Sequence, residues 1–170
     1  MKHPHLRRHD LSFCWPDPPF SVALVRPEIP PNTGNIARLC AATDTPLHLV
    51  GPMGFRLSDK SLKRAGLDYW DAVEMHAHGD WDDFRQALPL PPERVHLFST
   101  AGTRNLYEVE FHPGDLLIFG GESIGLPDPI LREFPDRMVG IPMRDGDVRS
   151  LNLATSVGIA LYEALRQQQR

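Results

Sequence analysis

Short apolar runs recur along the chain and are separated by segments in which apolar residues follow a helical spacing. Runs of this kind are typical of strands that are buried on both faces of a sheet. They predict strands at residues 21–25, 47–50, 94–99 and 115–120. Because helical segments lie between successive strands, we predict an α/β fold with a mostly parallel sheet and helices on both faces.

Capping residues and helical spacing predict the helices that accompany these strands. The last helix is the best defined, because Ala154, Val157 and Leu161 recur at helical spacing after a capping residue, Ser150 or Asn152. The predicted helices run from Asn32 or Thr33 to about Ala42, over a short stretch capped by Ser58 or Asp59, from Trp81 to Leu88, and from about 152 to 168.

The length of 170 residues, with 41% hydrophobic and 24% charged residues, fits one globular domain. Residues 1–20 contain prolines and histidines without any period, so we expect a flexible N-terminal arm there and a single domain over residues 21–170. The basic N-terminus lacks the apolar core of a secretory signal, and no apolar run approaches the roughly 20 residues of a membrane span. We expect a cytoplasmic protein without a membrane partner.

Cysteine and histidine spacing gives no indication of a metal site. Cys14 and Cys40 lie far apart, and Cys40 belongs to an apolar run, so we expect a buried, reduced thiol at that position. His76 and His78 lack further ligands at a suitable spacing, and we expect them to bind no metal.

The net charge of −4 argues mildly against a polyanionic partner, since phosphate contacts supply most nonspecific affinity for nucleic acid. Basic residues are nevertheless clustered, which permits a local positive face on an acidic protein. A solvated helix face explains such a cluster equally well. The clustered residues are Arg56, Lys60, Lys63 and Arg64, together with Arg144 and Arg149 around a turn.

Three segments carry candidate chemistry. Residues 119–127, FGGESIGLP, follow a strand directly, and their glycines allow the backbone to approach a ligand; a tight turn from strand to helix would look similar. Residues 141–153 present Ser150 and Asn152, which otherwise serve as helix caps. Asn35 and Arg38 share one helix face and suit a phosphate or a developing alkoxide, or else form a surface salt bridge.

These segments together resemble the three motifs of the SPOUT class of RNA 2'-O-ribose methyltransferases. Residues 27–38, PEIPPNTGNIAR, resemble the first motif, residues 119–127 the second, and residues 141–164, IPMRDGDVRSLNLATSVGIALYEA, the third. The resemblance spans about residues 20–168. Residues 65–70, AGLDYW, are similar to the branch that acts on the tRNA wobble nucleotide, cytidine or uridine 34.

The resemblance implies a fold, a cofactor and a set of cofactor-binding residues. SPOUT proteins thread their carboxyl-terminal segment into a deep trefoil knot, a rare exception to unknotted topology. The knot forms the pocket for S-adenosyl-L-methionine, which becomes S-adenosyl-L-homocysteine, and no metal is required. The residues of this chain that match its lining are Phe98, Ser99, Thr100, Gly120, Ile141, Ser150 and Leu151.

The resemblance also implies roles in catalysis. Arg38 matches the arginine assigned to activation of the ribose hydroxyl; it acts either as a general base or as a cation that stabilises the alkoxide and the adjacent phosphate. Asn35 and Asn152 would position Arg38 or the ribose, and Glu122 would brace the glycine loop or contact the substrate.

SPOUT enzymes are homodimers with each active site near the subunit interface, and the helix that carries Tyr162 matches a segment used there. An isologous dimer doubles the basic surface offered to the anticodon stem-loop of tRNA. The implied function is thus S-adenosylmethionine-dependent 2'-O-methylation of the tRNA wobble nucleotide.

Departures from the motifs leave alternatives open. The turn from Arg144 to Val148 is about one residue longer than usual, and Gly121 replaces a proline common in the wobble branch. A SPOUT methyltransferase that acts on another tRNA position or on rRNA shares every motif except residues 65–70. A noncatalytic knotted RNA-binding protein is less compatible with the retained polar residues. A dehydrogenase is disfavoured, because the dinucleotide fingerprint is missing.

Overall fold

The computed structural model describes residues 11–56 and 72–169, which form a layered α/β domain. The strands of this part of the chain are β1 (Ser21–Val25), β2 (Leu47–Val50), β3 (Met75–His78), β4 (Val95–Phe98), β5 (Arg104–Asn105), β6 (Leu116–Gly120) and β7 (Met138–Gly140). The helices are α1 (Pro30–Thr43), α2 (Trp81–Ala87), α3 (Asp128–Glu133) and α4 (Leu153–Gln167). The strands form one parallel sheet in the order β3, β2, β1, β6, β4, β7, β5.

Alternate side chains of the central strands enter two separate cores, one on each face of the sheet. In β1, Val22 and Leu24 pack into the core that contains residues of α1 and α4, whereas Ala23 and Val25 pack against residues of α2 and α3. This period of two is what a strand dictates, and burial on both faces explains the continuous apolar runs. The predicted α/β fold with a parallel sheet and helices on both faces is confirmed. The trefoil knot stays a prediction.

The register of the central strands brings their carboxyl ends to one edge of the sheet. Val25 at the end of β1 pairs with Gly120 at the end of β6, and Phe98 at the end of β4 pairs with Phe119. The loops that follow these strands therefore emerge side by side. This is the edge at which open α/β sheets bind their ligands.

Helix α1 begins earlier than the sequence predicts. Its first residue is Pro30 and its cap position is Ile29, which offers no side-chain hydrogen bond, so the predicted cap at Asn32 or Thr33 is wrong. Proline suits the first turn, where its missing N–H leaves no bond unmade. The helix ends at Thr43, and Asp44 follows in the left-handed region with φ of 52°. The side chain of Asn32 is thereby left available for contacts outside the helix.

The sequence pattern missed several short elements, namely β3, β5, β7 and α3. The edge strands β3 and β5 carry polar residues, with the sequences MHAH and RN, and β7 has a single fully buried residue, Val139. MHAH alternates over only four residues and RN has no apolar residue, so strands this short give no clear periodic signal. The predicted helix capped by Ser58 or Asp59 lies outside the described residues.

Residues 11–20 contact the domain, where the sequence predicts an arm outside the core. Phe20 is fully buried, and Phe13 packs against the core formed with α1 and α4. The side chain of Gln169 accepts a hydrogen bond from the Cys14 N–H and donates one to the Cys14 carbonyl, each at 2.9 Å. The expectation that residues 1–20 lie outside the core is therefore corrected for residues 11–20. The flexibility of the arm stays a prediction.

Cys40 is a buried free thiol in α1, as predicted. Burial away from water raises the pKa of this thiol to about 12, so that it is protonated at neutral pH. Among the residues described, no helix combines the length and the apolar character needed to cross a membrane.

Three histidines lie together on β2 and β3. His48 is 7% exposed, its Nδ1 lies 3.1 Å from Nε2 of His78, and its ring stacks on that of His76 at a centroid distance of 5.0 Å. Burial, together with the charges of His76 and His78 and against the opposing charge of Glu74, lowers the pKa of His48 to about 4. His48 is therefore neutral in the folded protein at physiological pH.

We expect acidification to destabilise the fold through His48. The unfolded chain binds more protons between the unfolded pKa of about 6.5 and the folded pKa of about 4, so the free energy of unfolding falls as the pH falls through this window. His48→Leu should lose roughly 2 kcal/mol less than the wild-type protein between pH 7 and pH 4.5, measured by urea denaturation. His112→Leu, at an exposed position outside this cluster, is the control for replacing a histidine by leucine. Equal losses in all three proteins would contradict this explanation.

Gly120 marks a point where two backbone segments approach too closely for a side chain. A Cβ at this position would overlap the backbone of Gly125 and Leu126, which cannot move aside as a flexible side chain could. We expect Gly120→Ala to lower the free energy of unfolding by at least about 2 kcal/mol in urea denaturation. Gly146→Ala is the matched control, because nothing lies within 4 Å of its Cβ position. A Gly120→Ala protein as stable as this control would show that the approach is not tight.

Candidate active site

A cavity of about 700 Å³ opens at the carboxyl edge of the sheet. Its walls come from the loops after β4, β6 and β7 and from the start of α4. All the residues that the resemblance assigns to the cofactor pocket lie in this lining, so the structure brings them together from three distant parts of the chain. They are Phe98, Ser99, Thr100, Gly120, Ile141, Ser150 and Leu151, and Glu122 and Asn152 line the same cavity.

The glycine loop after β6 closes into a tight turn. The N–H of Gly125 donates to the carbonyl of Gly121 at 2.9 Å, and these two residues form an isolated bridge. Gly125 has φ of 77°, a conformation that favours glycine because it has no Cβ. The turn presents Glu122 and Ser123 towards the loop between β1 and α1.

Glu122 joins the glycine loop to the start of α1. One carboxylate oxygen accepts from the N–H of Glu28 at 2.8 Å, and the other accepts from the N–H of Ile29 at 3.2 Å and from the side-chain amide of Asn32 at 3.1 Å. Two of these donors belong to backbone just before the first turn of α1, which has no side-chain cap of its own. Glu122 therefore braces the loop, one of the two roles predicted for it.

Glu28 makes the reciprocal connection. Its carboxylate accepts from the N–H of Ser123 at 3.0 Å and from the Ser123 hydroxyl at 2.6 Å. These two hydrogen bonds stabilise the ionised form and lower the pKa of Glu28. The two loops are thus held together by carboxylates from both sides.

Asn32 extends this network to α4. Its side-chain oxygen accepts from Nδ2 of Asn152 at 2.9 Å. The oxygen of Asn152 in turn caps α4 by accepting from the N–H groups of Ala154 and Thr155. Asn152 therefore caps α4, as predicted for Ser150 or Asn152, and it also lines the cavity. Its role in the chemistry stays a prediction.

Sequence reasoning missed Asn32 and chose Asn35 instead. The choice rested on the spacing of Asn35 to Arg38, but in the structure both of these residues are exposed on α1, and neither belongs to the described cavity lining. Asn32 is 7% exposed, lines the cavity and contacts both Glu122 and Asn152. A start of α1 at Pro30 would have been the signal, since it frees the Asn32 side chain from capping. The catalytic roles of Asn35 and Arg38 stay predictions.

Part of the predicted basic surface can be located. Arg149 lines the cavity, and Arg144 is exposed on the same segment between β7 and α4. Lys60, Lys63, Arg64 and the segment 65–70 that resembles the wobble branch lie outside the described residues.

The arrangement suits a ligand with both an apolar and a polar part. Apolar side chains such as Leu126, Val139 and Ile141 line the cavity beside the hydroxyls of Ser99, Thr100 and Ser150 and the backbone of the glycine loop. Ligand pockets commonly combine apolar walls with a few polar groups of this kind. The cavity is also large enough for a nucleoside-sized molecule, since such pockets measure about 300–1,000 Å³.

Known proteins with similar sequences share one enzyme name. A tRNA (cytidine(34)-2'-O)-methyltransferase of Burkholderia ambifaria is 49% identical over 149 residues, which covers 87% of this chain and 95% of the relative. A putative enzyme of the same name from Synechocystis is 49% identical over 146 residues, with coverage of 86% and 95%.

Solved structures agree with these relatives. A structure described as giving insight into the 2-OH methylation of C/U34 on tRNA superimposes with a TM-score of 0.81 at 51% identity, covering 88% of this chain and 95% of that one. An AdoMet-bound rRNA methyltransferase from Sinorhizobium meliloti superimposes with a TM-score of 0.76 at 30% identity, covering 86% of this chain and 56% of the other.

The sequence profile of one family covers most of the chain. It matches residues 19–162, which include the first two motifs, all but the last two residues of the third, every strand of the described sheet and the residues of the cavity. Together with relatives of nearly half identical sequence over almost their whole length, this match decides the family. The chain belongs to the SpoU rRNA Methylase family.

Proposed function

We propose that this chain is a tRNA methyltransferase that transfers a methyl group from S-adenosylmethionine to the ribose 2'-hydroxyl of nucleotide 34, a cytidine or uridine. The observation that carries the proposal is the convergence of three motif segments on one cavity, with Glu122, Asn32 and Asn152 hydrogen-bonded across it. The names of the relatives at 47–49% identity support the choice of substrate.

The cavity fits the cofactor that the family implies. We propose that Phe98, Ile141 and Leu151 pack around the adenine, while Ser99, Thr100, Ser150 and the backbone at Gly120 provide hydrogen-bonding groups. S-adenosylmethionine supplies an electrophilic methyl group when bound. An AdoMet-bound relative at 30% identity supports this assignment, and we propose no metal.

Catalysis requires that the ribose oxygen be aligned and that its proton be removed as the new oxygen–carbon bond forms and the carbon–sulfur bond breaks. We assign the activation of the hydroxyl to Arg38, as a general base or as a cation that stabilises the alkoxide and an adjacent phosphate. Asn152 and Glu122 hold the loops that receive the ribose. Asn32, which links them, takes the positioning role for which Asn35 was the candidate from sequence.

We also propose a homodimer that binds the anticodon stem-loop of tRNA. Tyr162 on α4 is 51% exposed in the single chain, so its ring is accessible for contact with a partner subunit. A twofold dimer would double the positive groups near each cavity, Arg144 and Arg149 among them, and so offset the acidic total charge.

Methyl transfer followed by mapping tests the proposed function. Purified protein should transfer labelled methyl from S-adenosylmethionine to tRNA from cells that lack this enzyme, and nuclease mapping should locate a 2'-O-methyl group at nucleotide 34. Label on another tRNA ribose would contradict the wobble assignment. Label on rRNA alone would favour the activity named for the Sinorhizobium meliloti relative.

Arg38→Ala should nearly abolish methylation while cofactor binding stays close to wild type, because Arg38 lies outside the described cavity lining. We expect a loss of at least about 10²-fold in kcat with less than a threefold change in the Kd of S-adenosylhomocysteine. Single-turnover methylation and calorimetric titration measure the two quantities. Arg132→Ala, at an exposed arginine of α3, is the control and should retain full activity. Parallel losses of binding and activity in Arg38→Ala would disprove the division of roles.

Asn32 and Asn35 provide a matched pair for the positioning role. Asn32→Ala removes one hydrogen-bond partner from each of Glu122 and Asn152, so we expect a loss of roughly 2 kcal/mol in unfolding free energy and at least about tenfold in kcat. Asn35→Ala, at an exposed position of the same helix, should change both quantities much less. Urea denaturation measures the unfolding free energy, and single-turnover methylation measures the rate. A larger effect in Asn35→Ala than in Asn32→Ala would return the positioning role to Asn35.

A further inference from the structure

Three apolar side chains stand exposed where the cavity opens. Ile124 is 87% exposed, Ile29 44% and Met143 39%, and all three line the cavity. They come from different segments: the glycine loop, the loop before α1 and the segment after β7. We call them the apolar rim. Single exposed apolar residues are common on protein surfaces, but three around the opening of one cavity indicate a binding surface.

Hydrogen bonds hold two members of the rim in place. Ile124 sits in the turn closed by Gly121 and Gly125, and its neighbour Ser123 is bonded to Glu28 through N–H and hydroxyl. Ile29 follows Glu28 directly, and its own N–H is bonded to Glu122. The same carboxylate connections therefore fix the backbone on either side of the opening. A rigid apolar contact of this kind loses little conformational entropy when a ligand binds.

The chemistry of the proposed reaction decides which part of the substrate reaches the rim. The nucleobase is bonded to C1' of the ribose, the neighbour of the C2' that carries the reacting oxygen. When that oxygen enters the cavity, the base therefore stays within one ribose ring of it, and a base left outside the cavity lies against the opening. Aromatic bases have extended apolar faces, which bind readily against aliphatic and aromatic side chains.

Polar side chains of the glycine loop and of the loop between β1 and α1 already form hydrogen bonds within the protein. Glu122 accepts three N–H donors, Glu28 and Ser123 bond to each other, and Asn32 bonds to Glu122 and Asn152. These groups have little capacity left to recognise the edge of a base. Cytosine and uracil differ only along that edge, in the group at C4 and in the hydrogen that uracil carries on N3.

We infer that the apolar rim, with Ile124 as its principal contact, binds the face of the target nucleobase and does not distinguish cytosine from uracil. The inference rests on the proposed function for the presence of a ribose substrate. It extends that function by assigning the contact that holds the target nucleotide and by explaining why either pyrimidine is accepted.

A double-mutant cycle tests the contact. One change is Ile124→Ala and the other is removal of the base from the target nucleotide, leaving the ribose and its 2'-hydroxyl. The Kd of tRNA transcripts is measured by fluorescence anisotropy with S-adenosylhomocysteine present. Ile124→Ala should weaken binding of the cytidine and uridine transcripts about tenfold, yet change binding of the abasic transcript less than twofold. The wild-type protein should methylate the cytidine and uridine transcripts with similar kcat/KM.

Leu11→Ala is the matched control, because Leu11 is an apolar residue of comparable exposure, 79%, away from the cavity. It should bind all transcripts as the wild type does. An equal loss on abasic and pyrimidine transcripts would overturn the inference, and a simultaneous fall in the sedimentation mass of Ile124→Ala would identify a second copy of the chain as the occupant of the rim. If the mapped methyl group lies at another nucleotide, the cycle is run there, so that an error in the wobble assignment remains distinguishable. Transfer to no RNA would overturn both proposals.

Discussion

The carboxylate of Glu122 is the interaction on which the site depends. Its two oxygens accept three N–H donors from the loop before α1 and from the first turn of that helix, at 2.8–3.2 Å. Hydrogen bonds to an ionised group are stronger than those between neutral groups, and these span 90 to 94 residues of sequence. Without them, the backbone just before α1 would lose its acceptors, and the glycine loop would lose one of the two carboxylates that connect it to this backbone.

The same network separates the site into regions with different chemistry. Asn32 carries it from Glu122 to Asn152, which caps α4, so side chains of the protein join the glycine loop, the start of α1 and the start of α4. A preformed site binds with a smaller cost of ordering. Glu122, Asn32 and Asn152 are hydrogen-bonded to one another beneath the opening, whereas apolar side chains are exposed at its rim. The two proposals assign positioning to the first group and base contact to the second.

The central part of the fold could be predicted from sequence because β1, β2, β4 and β6 are buried on both faces and show it as continuous apolar runs. The edge strands β3 and β5 could not, since strands of four and two residues, each with two polar side chains, are too short for a distinguishing pattern. The resemblance to a family, and not the periodicity of the sequence, predicted which residues line the cavity. Asn32 was missed because its partners, Glu122 and Asn152, lie 90 and 120 residues away along the chain.

A crystal structure of the protein with S-adenosylhomocysteine tests the central claim most directly, namely that these hydrogen bonds hold a cofactor site formed before the ligand arrives. The account predicts the ligand in the cavity between residues 98–100, the loop at Gly120 and residues 141–151, with the Glu122 carboxylate still bonded to the N–H groups of Glu28 and Ile29 and to Asn32. A ligand bound elsewhere, or a loop that must release Glu122 from these donors to admit it, would contradict the account.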